Sequence, residues 1–321
     1  MLGAPPLLFA RPVVAQVLRK PRMIGLIGSV PWQRPWLEPF FSGMQELGWA
    51  EGNDFILEQR ATGPEFSRAA QLAIELRDRG AEILVTSTTN VAIEASRAAR
   101  SLPIVMMTSG YPVEIGLAAS LHRPGGNVTG LSIYAGKEVF AKQVQLLTEA
   151  RPGLRRVGVL WDYPPPDGPL GIREMQAGAR SLGIELELFT LHGSEDLQAA
   201  LATLAYRGVD TLFVTVGFVN FQPSNWSLIS AHVKRNRPFV SLDTGRIRDD
   251  SFAMMIYTIP AGEHVRRTAW YVDRILKGAK PADLPIELPS RFELQLNLQL
   301  ARQFGIELPT SLIARADRVL E

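Results

Sequence analysis

At 321 residues the chain has room for two domains of ordinary size. Its composition, 46% hydrophobic and 21% charged with no low-complexity tract, excludes a disordered chain, and a net charge of +2 without a dense run of Lys and Arg offers no nucleic-acid surface. The absence of cysteine excludes disulfides, cysteine nucleophiles, thiolate metal sites and a lipidated cysteine within these residues.

Leu2 to Ala15 is apolar, and Val13-Val14-Ala15 places small residues at −3 and −1 relative to Gln16. That pattern resembles the end of a secretory signal peptide. A basic leading region is missing and prolines stand at 5, 6 and 12. Residues 1–21 are therefore read as a signal-peptide remnant whose start lies upstream, the alternative being a disordered tail. No later stretch is long and apolar enough to span a bilayer.

Met23 to Ser29 is an apolar strand ending in small residues. Trp36, Phe40, Phe41, Met44 and Leu47 recur at helical spacing up to Gly48. A strand at 54–60 and a helix from Phe66 to Leu76 follow. The strand Ile83-Leu84-Val85-Thr86-Ser87 runs into Thr88-Thr89-Asn90, which is capping material for helix 90–100. Ile104 to Met107 is a fourth strand. A polar turn at Ser109-Gly110-Tyr111-Pro112, a short helix and the strand Val128 to Ser132 come next.

The pattern then restarts. A helix at 137–149 leads to the strand Arg156 to Trp161, and a proline-rich loop runs from Asp162 to Pro169. Helix 170–182, strand 184–189, a helix around Leu197–Leu204, strand 211–216, helix 224–235 and strand Phe239 to Leu242 complete the unit. An amphipathic helix at 262–276 ends at Lys277-Gly278, and the tail holds two short strands and two short helices. Gly25 to Ser87 is 62 positions and Gly158 to Thr215 is 57, so one α/β unit occurs twice. Alternating strands and helices predict parallel sheets in two Rossmann-like lobes, with a ligand cleft between the strand C-termini.

No Walker-type or G-x-G-x-x-G loop follows a strand, no G-x-S-x-G elbow is present, and the four histidines (122, 192, 232 and 264) match no metal-ligand spacing. No catalytic residue, cofactor or metal is assigned. What stands at the predicted strand ends is hydrogen-bonding and aromatic. The first lobe offers Ser29, Ser87, Thr88, Thr89, Ser109 and Tyr111; the second offers Trp161, Asp162, Tyr163 and Gly217, with Asp243 and Tyr257 from later segments. Free N–H groups at the helix start near Thr88-Thr89 suit a carboxylate. Aromatic residues opposite would sandwich a flat ligand, and Asp162 or Asp243 would meet an ammonium group. Each has a structural alternative: helix caps for Ser87, Thr88 and Thr89, core for Trp161, proline packing for Tyr163, a turn for Asp243.

The run Leu117-Ala118-Ala119-Ser120-Leu121-His122-Arg123-Pro124-Gly125-Gly126-Asn127-Val128-Thr129-Gly130-Leu131 resembles the signature of the tryptophan/tyrosine-type substrate-binding proteins of ABC transporters. Phe41-Ser42-Gly43-Met44-Gln45-Glu46-Leu47-Gly48-Trp49 is similar to that family's first helix, and Tyr271 to Pro285 to its late helix and turn. Phe292-Glu293-Leu294 and Ile313-Ala314-Arg315-Ala316-Asp317 are similar to its C-terminal end. The resemblance implies a type I periplasmic-binding fold with three hinge crossings. It also implies an exported, periplasmic protein without catalysis that hands a small ligand to an ABC permease. Two positions depart from the family: its Gly-Asp-Pro is Gly110-Tyr111-Pro112 here, and its Asn-Pro is Asp162-Tyr163-Pro164. The expected lobes are 22–132 with 244–290 and 133–243 with 291–321. The hinges are expected near Ser132-Ile133, Leu242-Asp243 and Ser290-Arg291. A monomer binding a small aromatic or carboxylate-bearing molecule is expected. The rival readings are a ligand-sensing regulatory module and an enzyme on a doubly wound scaffold.

Overall fold

The computed structural model describes residues 20–134, 139–162, 164, 166–215, 217 and 222–321. The first lobe is a parallel sheet in the order β2-β1-β3-β4-β5, built from β1 (Arg22–Gly28), β2 (Phe55–Ala61), β3 (Ala81–Thr86), β4 (Ile104–Ser109) and β5 (Val128–Ser132). Helices α1 (Arg34–Glu46), α2 (Arg68–Asp78) and α3 (Thr89–Ala98) connect the strands. The second lobe follows α4 (Val139–Ala150). It contains β6 (Arg156–Trp161), α5 (Gly168–Ser181), β7 (Glu185–Thr190), α6 (Ser194–Tyr206), β8 (Thr211–Val214), α7 (Pro223–Asn236), β9 (Phe239–Leu242) and β10 (Met255–Thr258). These strands take the order β7-β6-β8-β9-β10, which repeats the first lobe's order position for position. The sequence duplication is thus a duplication of topology. In each lobe the chain reverses direction across the sheet beside its first strand, which is where doubly wound sheets bind ligands.

The strands are apolar for a reason that topology supplies. Helices cover both faces of each parallel sheet, so β1, β4, β6, β8 and β9 bury successive residues instead of alternating ones. Gly25 and Gly158 occupy matching positions in β1 and β6. A Cβ on either would meet leucine side chains at 2.8 Å or less, from Leu76 and Leu84 in one lobe and Leu204 in the other. Hydrogen there lets a helix lie close on the strand.

After β10 the chain returns to the first lobe as α8 (Ala261–Leu276), which packs along α1. Gly43 of α1 permits this contact, since a Cβ there would sit 2.9 Å from the Ala269 Cβ. The chain then re-enters the second sheet as β11 (Glu293–Asn297), antiparallel to β10. It continues through α9 (Leu298–Gln303) and α10 (Thr310–Ile313) to β12 (Arg318–Leu320), so the tail has the predicted two strands and two helices.

Two expectations are corrected. The second crossing between the lobes lies not at Leu242-Asp243 but between Thr258 and Ala261, because β10 pairs with β9 and β11 and buries Met255 in the second-lobe core. Residues 244–258 therefore belong with the second sheet. The short helix predicted after Pro112 is a series of turns, in which Ile115 donates to the Tyr111 carbonyl and Leu117 to that of Pro112. Gly116, at φ +76°, ends any helical run there.

The three crossings lie side by side. Ser132 closes β5 and donates its N–H to the Glu287 carbonyl, while Glu287 donates to the carbonyl of Gly130. The Glu287 carboxylate accepts two bonds from Arg267 of α8, at 2.9 and 2.6 Å. Gly130 sits at φ +124°, and a Cβ there would lie 2.3 Å from the Met106 carbonyl oxygen on β4. Gly130→Ala is expected to destabilise the protein by about 3 kcal/mol or more, through a forced backbone conformation and a shifted strand pair. Denaturant unfolding, with ellipticity read against concentration, checks it.

Candidate functional site

Hydrogen bonds from Thr89 and Tyr111 join the first lobe to the second. Thr89 is the first residue of α3, and its hydroxyl donates to Oδ2 of Asp167, at the start of α5 in the other lobe, at 2.7 Å. The same hydroxyl accepts from the Gly110 N–H at 2.9 Å. One residue further on, the Tyr111 hydroxyl donates to Oε2 of Glu174 at 2.8 Å. Asp167 and Glu174 are seven residues apart, two helical turns, so both carboxylates leave the same face of α5. Thr88 caps α3, its hydroxyl accepting from the Val91 N–H at 3.4 Å.

Aromatic rings continue from this junction into the second lobe. Tyr111 lies 4.9 Å from Tyr134, Tyr134 lies 5.3 Å from Phe140, and Phe140 lies 4.9 Å from Trp161. Tyr111 holds φ +46°, a conformation that a bulky side chain adopts only under compulsion. Gly110 makes room for the assembly: a Cβ there would lie 2.6 Å from the Tyr134 ring and 2.9 Å from Asp167 Oδ2.

The electrostatics follow from burial. Desolvation raises the Asp167 carboxyl to about 6, against a smaller downward pull from its bond with Thr89. Burial also lifts the Tyr111 and Tyr134 phenols well above their usual range, with further upward pushes from Glu174 and Asp167, and from Asp243 on Tyr134. Both phenols are neutral donors at any physiological pH.

The predicted residues divide accordingly. Thr89 and Tyr111 stand in the junction, and Asp243 is close enough to act on Tyr134. Ser109 is fully buried beside Gly110, and its hydroxyl makes no hydrogen bond among the described residues. Ser29 follows β1, with its carbonyl accepting from Gly63; Ser87 is buried and its carbonyl accepts from the Thr108 hydroxyl. Asp162 is a structural tie, its Oδ1 accepting from the Thr215 hydroxyl and the Gly217 N–H at 2.8 Å each. A Cβ on Gly217 would lie 2.5 Å from that oxygen, so Gly217 serves the same tie. Trp161 packs in the second-lobe core. It is fully buried between Phe140 and Gly171, whose missing side chain leaves space for the ring. Tyr257 stacks on Phe292 at 5.2 Å, toward the antiparallel edge of the second sheet. Tyr163 lies outside the described residues. Sequence reasoning missed Gly110, Tyr134, Asp167 and Glu174. The seven-residue spacing of the two acids at a helix start was the available signal for that pair.

Two doubly wound lobes, three adjacent crossings and a polar, aromatic junction at the strand ends define a type I periplasmic-binding fold. The sequence matches the family described as ABC transporter substrate binding protein over residues 37–320, and the chain belongs to that family. It is a solute-binding protein of the ABC transporter class, whose members bind substrates and are not enzymes. A relative from Clostridioides difficile, a tyrosine-binding protein, is 21% identical over 80% of this chain and 73% of its own. Among solved structures, the ABC domain from Streptococcus pneumoniae in complex with L-Trp is similar with a TM-score of 0.82. It is 22% identical and covers 94% of this chain and 100% of its own. A conserved domain protein from Vibrio cholerae has a TM-score of 0.81 at 24% identity, with the same coverage.

The raised Asp167 carboxyl has a definite sign. A group that holds its proton more tightly folded than unfolded contributes stability that is full below its ordinary range and is lost as pH rises through about 6. Asp167→Asn removes this penalty. Its melting temperature should exceed the wild type's at pH 7.5, by the equivalent of on the order of 2 kcal/mol, and the gap should close toward pH 4. Thermal melts across that range check it.

Proposed function

We propose that this protein is exported and captures a small molecule carrying an aromatic ring and a carboxylate between its lobes, for delivery to a membrane permease. The observation that carries this reading is the junction itself, where the Tyr111–Tyr134 pair adjoins the Thr89 hydroxyl and the Gly110 N–H at the start of α3. The rings offer a stacking surface for a flat group, and the hydroxyl and amide are donors for an anion. Asp243 and Glu174 lie around the same rings and suit a ligand ammonium group. The tyrosine-binding relative and the L-Trp complex support an aromatic amino acid as the first ligand to try. Export is supported by the Val13-Val14-Ala15 pattern and by the family's usual location. Among the described residues no helix is long and apolar enough to cross a membrane. The site works by positioning alone: the hinge strip lets one lobe rotate on the other, and closure buries the ligand.

A thermal-shift panel of aromatic amino acids, aromatic acids and nucleobases tests the ligand class. At a hundredfold excess over Kd the correct ligand adds about 2.7 kcal/mol, a rise of several degrees. Tyr111→Ala should then weaken binding about tenfold, read by calorimetry, whereas Trp161→Ala should chiefly cost stability, about 3–5 kcal/mol, as a core cavity does. N-terminal sequencing of protein recovered from the native host's periplasm should begin near Gln16; recovery of an unprocessed N-terminus from the cytoplasm would overturn export.

A further inference from the structure

The junction contains a carboxylate of the protein's own, placed where a ligand's would go. A threonine hydroxyl has one proton to give, and that of Thr89 is given to Asp167 Oδ2. Its lone pair takes the Gly110 N–H. A ligand carboxylate that approaches Thr89 must therefore displace Asp167. The second bond, Tyr111 to Glu174, starts from the same two faces one helical segment away. Both acceptors are carboxylate oxygens, so both bonds are of the stronger, charge-assisted kind when the acids are ionised. The positive φ of Tyr111 and the crowding around Gly110 show that the first lobe's loop is shaped to meet α5.

We propose that Asp167 and Glu174 form a latch that closes the lobes without ligand, with Asp167 acting as an internal competitor for the ligand's carboxylate. The proposal deepens the aromatic-acid reading of the site and rests on it for the competition, but not for the closure. It makes affinity a balance. The latch lowers the fraction of protein able to accept ligand, and apparent affinity falls by that fraction. It also makes selectivity sharper, since a ligand lacking the acid cannot replace the bond that Asp167 gives up. Closure is nevertheless most favoured in acid, because the cost of burying the ionised Asp167 exceeds what the charge-assisted bond to Thr89 returns. Among the described residues, the titratable groups acting on this region are Glu114 and Tyr111 after β4, Tyr134 after β5, Glu174 on α5 and Asp243 after β9.

Small-angle scattering of dialysed protein, checked by mass spectrometry for carried-over small molecules, tests closure with no ligand added. At pH 5 the wild type should be more compact than Asp167→Ala and Tyr111→Phe, and its radius of gyration should rise toward pH 8. Tyr111→Phe deletes one hydroxyl and guards against misfolding of the other variant. Equal radii in wild type and both variants would overturn the latch, whatever binds. In calorimetry, Asp167→Ala should tighten binding of both L-tyrosine and tyramine by the fraction the latch withholds, and L-tyrosine, which alone carries the competing carboxylate, about tenfold more than tyramine. Equal gains for both probes, or none for L-tyrosine, would overturn the competition. If the radii differ as expected but none of the aromatic ligands binds, the aromatic-acid reading fails and the closure stands.

Discussion

Parallel pairing is the constraint on which the rest of this protein depends. A strand that must run in the same direction as its neighbour forces the chain back through a helix on the face of the sheet, and every strand then ends on the same side. With the order repeated in both lobes, each presents a row of strand ends and helix starts to the other. Thr89, Gly110 and Tyr111 on one side, and Asp167 and Glu174 on the other, meet because topology leaves their loops facing. The apolar strands and the closely packed glycines Gly25 and Gly158 serve that end by holding the helix starts fixed.

Within the junction, burial settles which groups are charged and which remain neutral. The phenols of Tyr111 and Tyr134 keep their protons and act as donors and stacking surfaces. Asp167 is raised to about 6 because its desolvation outweighs its hydrogen bond with Thr89. A carboxylate in that condition is easily exchanged for another of better fit, and such exchange is what a reversible carrier requires.

The sequence carried the architecture well, because it lies in strong periodic signals. The repeat of strand and helix from Met23 and again from Arg156, the glycine stops and the N-cap at Thr88 all correspond to observed elements. What it carried poorly was whatever depends on geometry across the cleft. Met255–Thr258 is equally plausible as a strand of either sheet, and only its pairing with β9 and β11 decides the matter. A strand end before a proline loop suits Trp161 to either cleft or core, and the space beside Gly171 draws the ring into the core. Asp162 stood at the expected position, but its use as a tie to Thr215 and Gly217 involves residues more than fifty positions away. Asp167 and Glu174 were hidden for the opposite reason: an acid at a helix start and another two turns later look like ordinary solvated residues.

The return of α8 to the first lobe has a consequence for how the chain folds. The core beside α1 contains Leu37, Phe40, Phe41 and Met44 from near one end and Val265, Ala269, Val272 and Ile275 from near the other. Between them lies the greater part of the second lobe. A ribosome making this chain therefore releases the second lobe's parallel strands, able to pair at once, while the first lobe waits for its last helix with an apolar flank open to water. Such long-range closure is slow. The lobe made first thus waits for α8, and the second lobe's sheet is in turn closed only by β11 and β12, so neither lobe is complete until the tail is made.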